Sequence, residues 1–238
     1  MKRGSRTATA LLLAAMALAA CWLAWEVMHW PDVKSLSISD PKTTAFIELY
    51  KDRMAREGRK PRLQWIWTPY EKISDDLKLA VLVGEDFNFF SHRGFDLGEM
   101  KSALQEAWEE KELPRGASTI TQQTVKNLWL SPSRNPLRKI KEALLTRQIE
   151  GALSKKRILE IYLNIVEFGP GLYGAEAASQ SYFKKHASEM TSHEAAELAA
   201  ALPYPKRWHP GSTSRNYARR VDLLERKMAE ADRLRNLI

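Results

Sequence analysis

Residues 77–94 read LKLAVLVGEDFNFFSHRG, and the fold turns on how they are read. The first eight form an apolar run interrupted only by Lys78, with Ser74 placed upstream as a helix N-cap. The run ends on adjacent carboxylates, Glu85 and Asp86, set among Phe87, Phe89 and Phe90, with His92 and Arg93 close behind. A carboxylate at the edge of a core costs stability unless it is paired, protonated or put to use. A buried helix that delivers an acid to a cleft is therefore expected here. Aromatic rings around Glu85 would raise its pKa toward the range useful for proton transfer, with His92 and Arg93 to orient or neutralise the pair. Taken alone, the same residues also suit an exposed helix end with a surface acid pair and buried phenylalanines.

Working outward from this stretch, the pattern is mainly helical. Asp40 followed by Pro41 reads as a helix start, and TTAFIELYKDRMAREG runs to a stop at Gly58. RLQWIWTPYEKI reads as extended. FDLGEMKSALQEAWEEKEL is helical and is followed by a breaker, PRGAS. STITQQTVKNLWL, NPLRKIKEALLTRQIEGAL and SKKRILEIYLNIV give three further helices. GPGLYG is a glycine loop, AEAASQSYF is helical, and Thr191 opens SHEAAELAAAL. NYARRVDLLERKMAEADRLRNL closes the chain as a basic amphipathic helix. The sum is one mainly α domain with little strand.

The chain has 238 residues, 44% hydrophobic and 28% charged, which excludes a disordered protein. The single cysteine, Cys21, rules out an intramolecular disulfide and a cysteine zinc cluster. A net charge of +8 favours an anionic partner: nucleic acid, anionic lipid or a phosphorylated substrate. The N-terminus narrows that choice. MKRGSR supplies Lys2, Arg3 and Arg6 ahead of an uncharged apolar stretch, long enough to cross a bilayer, whose far end carries Trp22, Trp25 and Trp30. The expected division is a cytoplasmic tail at 1–7, a transmembrane anchor at 8–28, a linker at 29–40 and an outward-facing domain at 41–238. Two rival readings are a cleaved signal peptide and a lipoprotein site at LAAC, residues 18–21. Every reading puts the domain outside the cytoplasm, where nucleic acid is not the partner.

Two further stretches carry chemistry. In GASTITQQTVKN a glycine precedes Ser118, Thr119 and Thr121 at a helix N-terminus, whose free amides and dipole attract an anion. Thr119, Gln122, Gln123 and Lys126 follow along one side, a face suited to pyrophosphate; a plain hydroxyl cap with solvated glutamines fits the spacing equally well. RKIKE sets Arg138 and Glu142 one turn apart beside Lys139 and Lys141, which by spacing alone is an ordinary surface pair. In KKRILEIYLNIVEFGPGLYG, Asn164 and Glu167 are polar exceptions on a buried helix side and its loop. His186, His193 and His209 form no metal motif.

EDFNFFSHRG, GASTITQQ (116–123), RKIKE (138–142), KKRILEIYLNIVEFGPGLYGAEAAS (155–179) and ALPYPKRWHP (201–210), in this order, resemble the signatures of the peptidoglycan glycosyltransferases. The chain is similar to the monofunctional, membrane-anchored branch of that family, without a transpeptidase domain. The resemblance implies a lysozyme-like α-rich fold with a membrane-proximal lobe, anchored by one N-terminal helix in the bacterial inner membrane with the domain periplasmic. It implies inverting transfer from an undecaprenyl-pyrophosphate-linked glycan to the 4-hydroxyl of the GlcNAc of lipid II. Glu85 is then the general base, with Asp86 its orienter. Glu142 is the second carboxylate; with Lys126, Arg138, Lys139 and a divalent cation (Mg2+ or Mn2+) it steadies the departing pyrophosphate. Ser118, Thr119, Gln122 and Gln123 are implied substrate contacts, Phe89 and His92 shape the surroundings of Glu85, and Asn164 orders the site. No organic cofactor is implied. Implied partners are lipid II, the growing strand, the membrane and other cell-wall synthesis or division proteins. In the helix between the first two motifs, Leu97, Leu104, Trp108 and Leu113 form an apolar side for the bilayer or for the core. The rival functions are a lysozyme-like lytic enzyme that cuts finished glycan and a non-catalytic wall-assembly scaffold.

Overall fold

A computed structural model describes residues 2–111, 116–133 and 135–238, side chains at 2–10 and 19 excepted. Leu113 and the first half of the PRGAS breaker lie outside the described residues. The chain divides into two units, Met1–Asp32 and Val33–Ile238. The first is helix α1, Lys2–Met28. Within it Leu11–Met28 is long and apolar enough to cross a membrane, with none of the window buried in protein. Trp22 and Trp25 are half exposed, and Trp25 stacks on His29 at 4.6 Å.

The second unit begins inside the stretch expected to be a linker. Val33 and Leu36 are buried, Lys34–Ser37 forms a 3-10 turn, and Arg157 donates to the carbonyls of Leu36 and Ser39 and to the Asp40 carboxylate, each within 2.9 Å. Asp40 is thereby spent on a residue more than a hundred positions away and does not cap a helix. Helix α2, Ala45–Arg56, starts later, with the Thr44 hydroxyl accepting from the Ile47 amide.

Beyond α2 come β1 (Gln64–Trp65), α3 (Asp75–Glu85), α4 (Leu97–Glu110), α5 (Ile120–Trp129), α6 (Pro136–Ala152), α7 (Lys155–Ile165), β2 (Glu167–Gly169), β3 (Leu172–Tyr173), α8 (Ala175–Phe183), α9 (Ser192–Ala201), α10 (Arg215–Ala229) and α11 (Asp232–Arg235). The short sheet runs β1-β3-β2, with β1 parallel and β2 antiparallel to β3 and a bulge between Glu167 and Gly169. Its Gln64↔Leu172 and Trp65↔Tyr173 register ties the extended segment to the glycine loop.

Helix α3 is the central element. Ser74 caps it, and every side chain from Leu77 to Val83 is buried, Lys78 included. Lys78 survives there because its ammonium meets Asp75 at 2.9 Å and the face of Tyr70 at 4.1 Å. Full burial of each leucine contributes about 1.5–3 kcal/mol, which fixes the helix firmly enough to hold an acid at its end. Alanine-rich α9 lies close against α3, and α10 packs on both; on the other side α5 packs between α6 and α7. The site lies where the α3 end meets the α5 start.

Helix α4 differs from the rest. Only Ala103 of its residues is buried, while Leu97, Leu104 and Trp108 stand exposed, Trp108 at 86%. Leu137, Ile140 and Leu144 make a second exposed apolar ridge on α6. The core does not take these side chains.

Gly94 marks a close approach of the loop after α3 to α6. It has φ of 88°, and an added Cβ would lie 2.6 Å from the Thr146 methyl on α6. Gly94→Ala is expected to lower stability by about 2 kcal/mol or more, from left-handed backbone strain plus the clash. Denaturant unfolding monitored by circular dichroism would check it; an unchanged midpoint would mean that the loop relaxes freely.

Candidate active site

Helix α3 ends with Glu85 as its last residue and Asp86 as its C-cap, so the adjacent acids diverge. Asp86 turns inward and is buried. Its Oδ2 accepts the Ile120 amide at 2.9 Å, at the first turn of α5, and its Oδ1 accepts His92 Nε2 at 2.9 Å. The Gly94 amide donates to His92 Nδ1 at 3.1 Å, which fixes Nε2 as the nitrogen that carries the proton toward Asp86. The Thr119 hydroxyl donates to the Gly94 carbonyl at 2.7 Å. A carboxylate at a helix N-terminus is electrostatically favoured, so Asp86 welds the first stretch to the second.

Glu85 points the other way and lines a cleft of about 200 Å³ together with Gly84, Glu99, Ser118, Thr119 and Lys227. Its Oε2 accepts Gln123 Nε2 at 3.0 Å, and Gln123 Oε1 in turn accepts the Tyr162 hydroxyl at 3.1 Å. Its Oε1 accepts Arg220 Nη2 at 3.1 Å, and the same nitrogen reaches the Gly84 carbonyl at 3.2 Å. Burial pushes the Glu85 carboxyl above its ordinary range, while the Gln123 bond, Arg220 and Lys126 pull it back. Tyr162, wholly buried, is held well above the usual phenol range by burial, so it stays a donor and keeps the Gln123 amide turned toward Glu85.

The second acid differs from an ordinary surface pair. Glu142 is only 2% exposed; Arg138 Nη1 donates to its Oε2 at 2.7 Å, and Lys139 to its Oε1. Lys126 on α5 is buried enough to lower its pKa and is influenced by Glu142, Arg138, Lys139 and Glu85. One half-buried ammonium therefore feels both carboxylates, beside two more cations. This arrangement can remove a proton at Glu85 and hold an anion along Lys126, Arg138 and Lys139. A resident metal fits poorly: both Glu142 oxygens are occupied by cations, and no three His, Cys, Asp or Glu side chains gather among the described residues.

Several of the expected site residues are held inside the fold. Phe89 is fully buried, with Lys155 over its ring at 4.4 Å, so it cannot touch a ligand. Thr119 and Gln122 form a reciprocal capping box at the start of α5, the simpler of the two readings of that motif. Asn164 is fully buried; its side chain accepts the Thr68 amide at 2.7 Å and donates to the carbonyls of Thr68 and Glu160 at 2.8 Å, pinning the segment after β1 to α7. Ser118, Gln123, Lys126, Arg138 and Lys139 remain accessible around the acids. The phenylalanines do not enclose Glu85: Phe87 is half exposed, and the close partners are Gln123 and Arg220. Arg220 and Tyr162 were not singled out by sequence, since one belongs to a basic amphipathic helix and the other to an apolar helix face.

The two adjacent acids should separate in a stability test. Because the fold raises the Glu85 pKa, the folded state holds that proton more tightly than the unfolded chain, and ionised Glu85 subtracts stability as pH rises through the raised value. Glu85→Gln is thus expected to leave the thermal midpoint at pH 7.5 unchanged or higher. Asp86→Ala, which orphans the Ile120 amide, should lose about 2–3 kcal/mol. The reverse order would break the assignment of roles.

The sequence pattern of the family described as Transglycosylase matches residues 52–229, about three quarters of the chain. A protein named biosynthetic peptidoglycan transglycosylase from Thiobacillus denitrificans is 42% identical over 95% of this chain and 93% of its own length. Proteins of the same name from Aromatoleum aromaticum and Neisseria gonorrhoeae are 41% and 39% identical, over 92% and 81% of this chain and 94% and 82% of their own. The mainly α body is thus the lysozyme-like domain of that family, and the apolar N-terminal helix is compatible with a membrane-associated cell-wall enzyme. On this match, and with the matched segment carrying both carboxylates and every cation around them, the chain belongs to the transglycosylase family and is a glycosyltransferase of peptidoglycan synthesis.

Proposed function

We propose that the enzyme polymerises lipid II, with the growing glycan-undecaprenyl pyrophosphate as donor and the GlcNAc 4-hydroxyl of an incoming lipid II as acceptor. The observation that carries this reading is Lys126, half-buried and under the influence of Glu142 and Glu85 alike, with Arg138 and Lys139 at hand. A hydrolase that cuts finished glycan needs two carboxyl groups but no cationic cradle for a leaving pyrophosphate.

In the step, Glu85 accepts the proton of the 4-hydroxyl as that oxygen attacks C1 of the donor sugar. The bond from C1 to the pyrophosphate oxygen breaks on the opposite face, and the configuration at C1 inverts. Negative charge grows on the departing pyrophosphate, and Lys126, Arg138 and Lys139 stabilise it where it forms, with Glu142 holding the last two in place. Ser118 and Gln123 line the approach to Glu85. A divalent cation, if one takes part, is held by the substrate phosphates, and no step here runs through it. The N-terminal basic residues belong on the cytoplasmic side and the domain on the outer side of the inner membrane, where both lipid tails remain embedded.

Glu85 must be ionised before the step. Its raised pKa places the acid limb of the rate profile above the ordinary glutamate range, with activity lost as pH falls through it. Wild type should convert lipid II to polymer and Glu85→Gln should form none. Arg220→Met removes a cation that favours the ionised form and should shift the acid limb to higher pH, lowering the rate near neutrality about tenfold. A Glu85→Gln enzyme that still polymerises, or a wild type that instead releases fragments from finished wall, would sink the reading.

The exposed ridges on α4 and α6 supply a lipid-facing surface on the domain itself. In a protein lacking residues 1–32, Trp108→Glu is expected to weaken flotation with anionic vesicles severalfold, by losing a buried indole. Equal flotation would assign Trp108 to another contact.

A further inference from the structure

A hollow of about 730 Å³ lies outside the cleft, where the C-terminal half of α2, the segment after it and the β2–β3 loop converge. Its lining includes Arg53, Glu57, Arg59, Lys60, Arg62 and Lys206. Glu57 is taken by Arg59 at 2.8 Å. Arg53, Lys60, Arg62 and Lys206 have no carboxylate within ion-pair distance among the described residues. Glu167, whose charge also acts on Arg53 and Lys206, bonds to neither and leaves one buried oxygen without a partner. Four cations around one opening repel one another, and an anion would relieve that.

The walls are fixed. The Tyr50 hydroxyl accepts the Arg62 amide at 3.2 Å and faces the Arg62 carbonyl at 3.4 Å, while the Gln64 amide donates to the Gly171 carbonyl at 2.9 Å. Gly171 has φ of 77°, and a Cβ there would meet the Tyr50 oxygen at 2.6 Å, so the loop is seated directly on α2. Helix α2 connects the hollow to the neighbourhood of Lys126. Lys126 Nζ is 5.9 Å from the ring of Phe46 in the first turn of α2, and Arg53 follows about 10 Å farther along that helix at about 1.5 Å per residue.

We infer that this hollow binds the carboxylates of peptide substituents on the glycan strand as it leaves the reaction centre. The inference rests on the polymerase reading above. The donor sugar must lie by Lys126, so the rest of the strand extends away from it. The hollow offers charge without the exposed apolar ridge that a bilayer contact needs; those ridges are on α4 and α6. A peptidoglycan strand carries free carboxylates on its peptides at regular intervals, so charge here holds the product without reading its sugars. The consequence is retention of the strand between additions.

The test uses the full chain in detergent and two fluorescent probes: uncross-linked strands bearing their peptides, and the same strands stripped of peptide by an amidase. By anisotropy, intact strands are expected to bind about tenfold more tightly than stripped ones, as two or three half-exposed charge contacts allow. The variant Arg53→Gln with Lys206→Gln should erase most of that difference, keep its thermal midpoint, add the first sugar units at the wild-type rate and yield shorter polymer. Equal binding of intact and stripped strands, or a full difference retained by the variant, overturns the inference. So does a variant that loses only its binding to anionic vesicles, which would assign the hollow to lipid. Failure of wild type to polymerise lipid II would strike the polymerase reading itself, while the binding contrast is read without turnover.

Discussion

The geometry around the cleft depends on one buried carboxylate, whose two oxygens are both held by hydrogen bonds. Asp86 follows the last residue of α3, and its carboxylate accepts from the first turn of α5, whose positive pole it complements, so one side chain ties the two helix ends together. His92 and Gly94 close the loop back onto it. With that joint made, Glu85 has no freedom to turn into the core, and Gln123, one turn into α5, arrives beside it. The aromatic residues play a supporting part: Phe89 fills the volume under the loop and keeps water from the joint.

The two glutamates are handled in opposite ways. Glu142 lies buried among cations that satisfy both its oxygens, which makes it a fixed brace for Arg138 and Lys139. Glu85 is desolvated with incomplete compensation, which leaves it responsive to a nearby proton. Lys126 mediates between them, its own ammonium partly desolvated and so readier to meet a new anion than to stay with water. A stable fold would avoid both strains; an enzyme uses them.

Much of this was readable from local sequence. Helix caps depend on residues three apart, and Ser74 and Thr191 cap the helices their positions announce. The mainly α architecture follows from the same periodicity. What could not be read was side-chain destination. Asp40 has the appearance of a cap but serves Arg157, and Thr119 with Gln122 has the appearance of a ligand face but closes a capping box. Asn164 and Phe89, picked out by motif, are interior residues. Arg220 was invisible for a related reason: on a helix rich in arginine and lysine, spacing cannot tell which cation turns inward. Only packing of α10 on α3 decides it.

That last placement bears on how the protein comes into being. Glu85 and Arg220 are 135 positions apart, and six of the helices described, α4 to α9, lie between them in the chain. Contacts of such sequence separation form late, after their loop-closure entropy has been met by other packing. A nascent chain emerging N-terminus first carries Glu85 long before the arginine that pairs with it. The Glu85–Arg220 pair is therefore complete only once the last large helix has packed.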